Sequence, residues 1–106
     1  MRTTIGYGST VPGATLWQPY KGSTKAMFVD IDTSEAGFSA TPLYFTSIGG
    51  KSRHWEAQGV ESVYDATAKG FRIYIQASHP GQSTLFTPEE ANKRRWHINW
   101  FGVVGS

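Results

Sequence analysis

Apolar and polar positions alternate with a period of two in three stretches, and each predicts a strand with two distinct faces. In Trp96–Val103, Trp96, Ile98 and Trp100 fall on one face and His97, Asn99 and Phe101 on the other. Two indoles and an isoleucine make an apolar surface that a lone hairpin cannot cover, so other strands must lie across it. Lys25–Asp32 sets Met27, Val29 and Ile31 against Phe28, Asp30 and Asp32. Phe71–Ala77 sets Phe71, Ile73 and Ile75 against Arg72, Tyr74 and Gln76, the alternation of a half-buried antiparallel strand.

Turn residues divide the rest. Pro42 opens a strand over Leu43–Ile48, where its missing donor falls outside the ladder, and Gly49-Gly50 closes it. Val60–Tyr64 reads as a short strand that Asp65–Gly70 joins to Phe71–Ala77 in a hairpin. Lys51–Gly59 has no periodicity and reads as a loop, as does Ser78–Phe86. Gly6, Gly8, Pro12, Gly13 and Pro19 punctuate an irregular arm over 1–19, with one short strand around Ala14–Trp17. Thr87 as N-cap, Pro88 at the first helical position and Glu90 three residues after the cap predict one short helix near 88–94. The pattern therefore predicts an all-β fold, a six-stranded antiparallel β-sandwich with one short helix, in a single domain over 1–106.

Composition sharpens this picture. At 106 residues the chain supports one core, and 12 glycines with 14% aromatics and only 17% charged residues suit an all-β domain better than a helical or disordered one. The formal net charge is +2, and Lys93-Arg94-Arg95 is the only basic run, which is no nucleic-acid footprint. There are no cysteines, so no disulfide framework points to a compartment. Residues 1–19 hold no apolar run long enough for a signal sequence or a membrane span, and a soluble chain is expected.

Recognisable catalytic motifs are missing: there is no Gly-x-Ser-x-Gly, no His-Glu-x-x-His and no phosphate-cradling glycine loop. His54, His79 and His97 lack the short spacing of a metal site, and Asp30 with Asp32 reads as a solvated strand end rather than a cation site. No enzyme, cofactor or metal is therefore expected. Trp17 and Tyr20 allow two accounts, one as a cap on the core and the other as rings beside a ligand. Trp55 lies beside Arg53, His54 and Glu56, while His79 and Gln82 follow the hairpin. Rings next to planar polar groups are the parts a sugar site asks for, the ring for the C–H face of a pyranose and the polar groups for its hydroxyls.

Three stretches taken together, Thr41–Ile48, Val63–Phe71 and Trp96–Val103, resemble the H-type lectin domain in order and spacing. The resemblance covers roughly the last two thirds of the chain. It implies a six-stranded antiparallel sandwich that assembles as a trimer and binds N-acetylgalactosamine or galactose in clefts between subunits. Counting from Gly70-Phe71, it implies that His79 hydrogen-bonds sugar, with Ser78 where the family has a ring. The family's binding arginine falls near Gln58, with Arg53 the nearest arginine, and the place of its aspartate falls within Pro19–Thr24. The candidate sugar-binding residues are thus Arg53, His54, Trp55, Gln58, His79 and Tyr20, in a homo-oligomer that recognises glycans and no nucleic acid or membrane.

The stretch Ser78–Arg95 is longer than its counterpart in animal lectins of this type. Either Phe86 replaces the missing ring, or the stretch closes the site and leaves an oligomerisation or attachment module of a larger secreted or phage-like assembly. His97 and Asn99, opposite the tryptophans, either line the axis of an oligomer or hydrogen-bond within one sheet.

Overall fold

The structure, a computed structural model, describes residues 2–78 and 86–105. Along the chain run β1 (Thr3–Ser9), β2 (Gln18–Pro19), β3 (Ala26–Asp32), β4 (Leu43–Gly49), β5 (Ala57–Gln58), β6 (Val63–Thr67), β7 (Gly70–Ala77), α1 (Pro88–Lys93) and β8 (His97–Gly105). They form two antiparallel sheets. One has three strands in the order β1-β8-β4; the other has β2-β3-β7-β5, with β6 also paired to β7. The long central strands, β8 and β7, are those whose alternation is strongest in the sequence.

The core fills the space between the sheets, as the alternation requires. Met27, Val29 and Ile31 of β3 and Phe71, Ile73 and Ile75 of β7 are buried together with Trp96 and Ile98, and Trp100 packs against them. Tyr44 of β4 pins the two layers. Its ring lies 4.4 Å from that of Phe71, and its hydroxyl shares a hydrogen bond with Thr33 Oγ1 at 2.6 Å and donates to the Thr67 carbonyl at 2.7 Å. A buried phenol with both polar partners supplied fixes the registration of the sheets without leaving an unpaired group.

Trp96 closes one end. Its indole N–H donates to the Ser52 carbonyl at 2.8 Å, its own carbonyl accepts from the Trp17 indole at 3.2 Å, and Phe86 packs edge-on against it at 5.2 Å. Trp17 is therefore a core residue. Phe86 is fully buried here and cannot serve as the replacement ring at an open sugar site. The helix forms as expected, with Thr87 accepting from the Glu90 N–H at 3.3 Å and Pro88 in the first turn.

Other expectations need correction. The arm over 1–19 is not irregular throughout, because β1 pairs with β8 over its whole length. Glycines hide that strand. A Cβ on Gly6 would stand 2.7 Å from that of Ala36, and one on Gly8 would stand 2.9 Å from the Trp100 ring, so the inward face of β1 has to be bare to let those side chains in. The strand expected at Ala14–Trp17 does not form, since the Asn92 amide takes both the N–H and the carbonyl of Thr15 at 2.9 Å each.

The strand expected at Val60–Tyr64 starts later, at Val63, because Ser62 N–H closes a turn on the Gly59 carbonyl at 3.1 Å. It then runs on to Thr67 through a register shift, which moves the hairpin turn to Ala68-Lys69. Lys51–Gly59 is not all loop: it holds one tight helical turn at His54–Glu56 and then β5. Among the described residues six strands exceed two residues, in two antiparallel sheets with one short helix.

Truncating Trp96 removes the largest buried side chain and leaves the Ser52 carbonyl without its donor. Trp96→Ala is expected to lower the unfolding free energy by about 3–5 kcal/mol in urea titrations, a large share of the stability of an ordinary domain.

Candidate functional site

On the outer face of the five-stranded sheet the outward positions of β3 and β7 meet in register, Phe28 beside Tyr74 and Asp30 beside Arg72. Arg72 is held on every side. Its Nε and Nη2 reach the two Asp30 carboxylate oxygens at 2.6 and 2.9 Å, Nη1 donates to the Tyr74 hydroxyl at 3.2 Å, and the guanidinium lies over the Phe28 ring at 4.2 Å. A bidentate fork stacked on a ring is a geometry that lysine could not reproduce. The hydrogen bonds from Arg72 hold the Asp30 carboxyl below the usual aspartate range, and the same contacts raise the guanidinium.

This clamp fixes Tyr74, and Tyr74 organises a cleft. Tyr20 stands edge-on to it at 5.6 Å and Tyr64 at 5.0 Å, with interplanar angles of 90° and 88°. Together with Gln58, Asp65 and Gln76 these rings line a space of about 650 Å³, within the size range of small-ligand sites. The backbone at its rim is unusual. Lys21, next to Tyr20, has φ 51°, and Asp65 has φ 56° inside the register shift of β6. Left-handed backbone at a non-glycine residue such as Lys21 costs energy and concentrates at binding sites, and bulges re-aim side chains there.

Chemically the cleft offers phenol faces, phenol hydroxyls, two amides and one carboxylate. That set can stack on an apolar ring face and both donate to and accept from hydroxyls. Among the described residues no three histidine, aspartate or glutamate side chains gather to hold a metal ion.

Of the residues singled out in the sequence, the structure brings Tyr20 and Gln58 into this cleft. Arg53, His54 and Trp55 stand outside its lining, in the tight turn before β5. Arg53 is engaged by Glu56 through a bidentate pair at 2.5 and 3.2 Å. His54 is half-buried, its Nδ1 enclosed without a hydrogen-bond partner among the described residues, while Trp55 is 83% exposed. His79 and Gln82 lie outside the described residues.

Sequence reasoning missed Tyr64, Asp65, Tyr74 and Gln76. Alternation does place Arg72, Tyr74 and Gln76 on one face of a strand. It does not reveal that Tyr20 and Tyr64, distant in sequence, flank the middle one. Comparison of the chain with protein-family models, curated proteins and solved structures finds no match.

The Asp30 carboxyl is lowered in the folded protein, so the unfolded chain binds its proton more readily. Its stabilising contribution is present above the ordinary aspartate pKa of about 3.9 and is lost as the pH falls through the lowered folded value. Asp30→Asn is therefore expected to be less stable than the parent at neutral pH, with the difference shrinking to nothing in acid. Thermal unfolding of both proteins across that range checks it.

Proposed function

We propose that the protein is a non-catalytic carbohydrate-binding module whose glycan lies in the cleft between Tyr20, Tyr64 and Tyr74. The convergence of three phenol rings with the Gln58 and Gln76 amides and the Asp65 carboxylate carries the reading. A pyranose presents an apolar C–H face and a rim of hydroxyls, and these groups answer both. The Arg72–Asp30 clamp keeps Tyr74 in place before ligand arrives, so little ordering is left to oppose binding.

The resemblance to H-type lectins adds the sugar class, galactose or N-acetylgalactosamine, and a homotrimer. In that family the sugar lies between subunits. The cleft proposed here is built by one chain; Gln58 lies near where the family has its binding arginine, and Tyr20 lies in the stretch where the family has its aspartate.

A second reading, an oligomerisation or attachment module that binds no sugar, is favoured by a separate observation. Ile5, Tyr7 and Leu43 are large apolar side chains exposed on the outer face of the other sheet.

A glycan array probed with the purified protein, followed by titration of the best ligand, separates the two. Tyr64→Ala is expected to weaken binding by roughly tenfold, the loss of about 1.4 kcal/mol of ring contact, with the fold retained. Trp55→Ala is expected to bind like the parent. No selective binding by a folded parent protein supports the attachment module, and loss confined to Trp55→Ala moves the site to the turn before β5.

A further inference from the structure

The rings of the cleft meet at right angles. Tyr20 and Tyr64 each stand perpendicular to Tyr74, with ring centroids 5.6 and 5.0 Å from its own, and all three line one space of about 650 Å³. Asp65 is the one charged residue in that lining among the described residues; no lysine, arginine or histidine belongs to it. We infer that the cleft takes a methylated ammonium group, held against Tyr20, Tyr64 and Tyr74 with the Asp65 carboxylate as its counter-charge.

Shape is the first argument. A flat sugar ring stacks on one of these planes at a time, whereas a roughly spherical cation touches perpendicular planes together. Each aromatic face carries negative potential from its π-system, so a cation in such a corner is attracted by more than one ring. Methyl groups around the nitrogen add apolar contact with the same faces and leave no N–H to be satisfied.

Charge is the second argument. The rings already attract cations of their own chain, since the Lys21 ammonium lies 5.3 Å from the Tyr20 centroid and the Arg72 guanidinium 5.7 Å from that of Tyr74. Neither cancels the charge of the cleft. Arg72 is neutralised by its bidentate pair with Asp30, and Lys21 is an exposed residue whose flexible stem lets its strongly hydrated ammonium return to water. Asp65 has no ion-pair partner among the described residues, so its charge is left for a ligand.

The inference deepens the glycan reading and rests on it only for the carrier of the charge. With the cation in the corner, the Gln58 and Gln76 amides remain for the hydroxyls of a sugar that bears it.

The test compares choline chloride with its neutral isostere 3,3-dimethyl-1-butanol, each titrated into the parent protein at constant ionic strength. Choline is expected to bind at least about tenfold more tightly than the isostere, the difference that a desolvated cation–π site supplies. Tyr64→Ala and Asp65→Asn are each expected to weaken choline binding by roughly tenfold. Asparagine tolerates the φ of 56° at position 65, so Asp65→Asn is expected to keep the parent's circular dichroism spectrum and decides alone if Tyr64→Ala unfolds. A folded parent that shows no affinity for millimolar choline, or binds the isostere equally well, overturns the inference. So does choline binding that Asp65→Asn leaves unchanged. A neutral glycan selected on the array without affinity for choline overturns this inference and leaves the glycan reading standing. Charge-selective choline binding with no glycan selected upholds it and overturns the glycan reading.

Discussion

The fold depends on how Trp96 is buried. The indole sits at the point where the helix gives way to the last strand, and four segments reach it. Trp17 donates to its carbonyl, Ser52 accepts from its indole, Phe86 packs on its ring, and its backbone N–H closes on Ala91 at 2.8 Å. An indole buried with its N–H satisfied combines a large apolar contribution with directional constraint. It therefore fixes where β8 begins, and so which residues of β8 point inward. Since the side-chain period is two, a slip of one residue would turn Ile98 and Trp100 out and His97 and Phe101 in.

From that register the two outer surfaces follow, and their chemistry differs. On the five-stranded sheet the outward residues of β3 and β7 are a mixture of rings, one clamped guanidinium, carboxylates and an amide. Rings and hydrogen-bonding groups side by side suit a hydroxyl-rich ligand. On the three-stranded sheet the outward residues run from an apolar pair of rows, Ile5-Val103-Leu43 and Tyr7-Phe101-Phe45, to a polar row of Ser9, Asn99 and Ser47. The two outer surfaces of the sandwich thus differ in chemistry, and the core lies between them.

Much of the architecture is legible in the sequence wherever a single strand carries its own signal. The strands β3, β7 and β8 follow from alternation, and α1 from the Thr87 cap. What was not legible depends on contacts between distant segments. β1 is disguised by Gly6 and Gly8, whose bare faces make sense only once Phe38, Ala36 and Trp100 are seen against them. The bulge in β6 reads as a turn because Asp65 has turn-like character. In the candidate site, Tyr20 and Gln58 could be picked out as polar or aromatic residues in irregular stretches. Tyr74 could not, because what distinguishes it is the flanking of its ring by Tyr20 and Tyr64 across three separate elements.

The central claim is that the proposed ligand lies in the tyrosine cleft of the five-stranded sheet. An NMR titration of the labelled protein with a galactose-type oligosaccharide tests it most directly. The account predicts that the largest amide shifts fall at Gln58, Ser62, Tyr64 and Gln76, with β1, β4 and β8 unmoved. Shifts concentrated along β1 and β8, or in the turn at Arg53–Trp55 with the cleft silent, would contradict it.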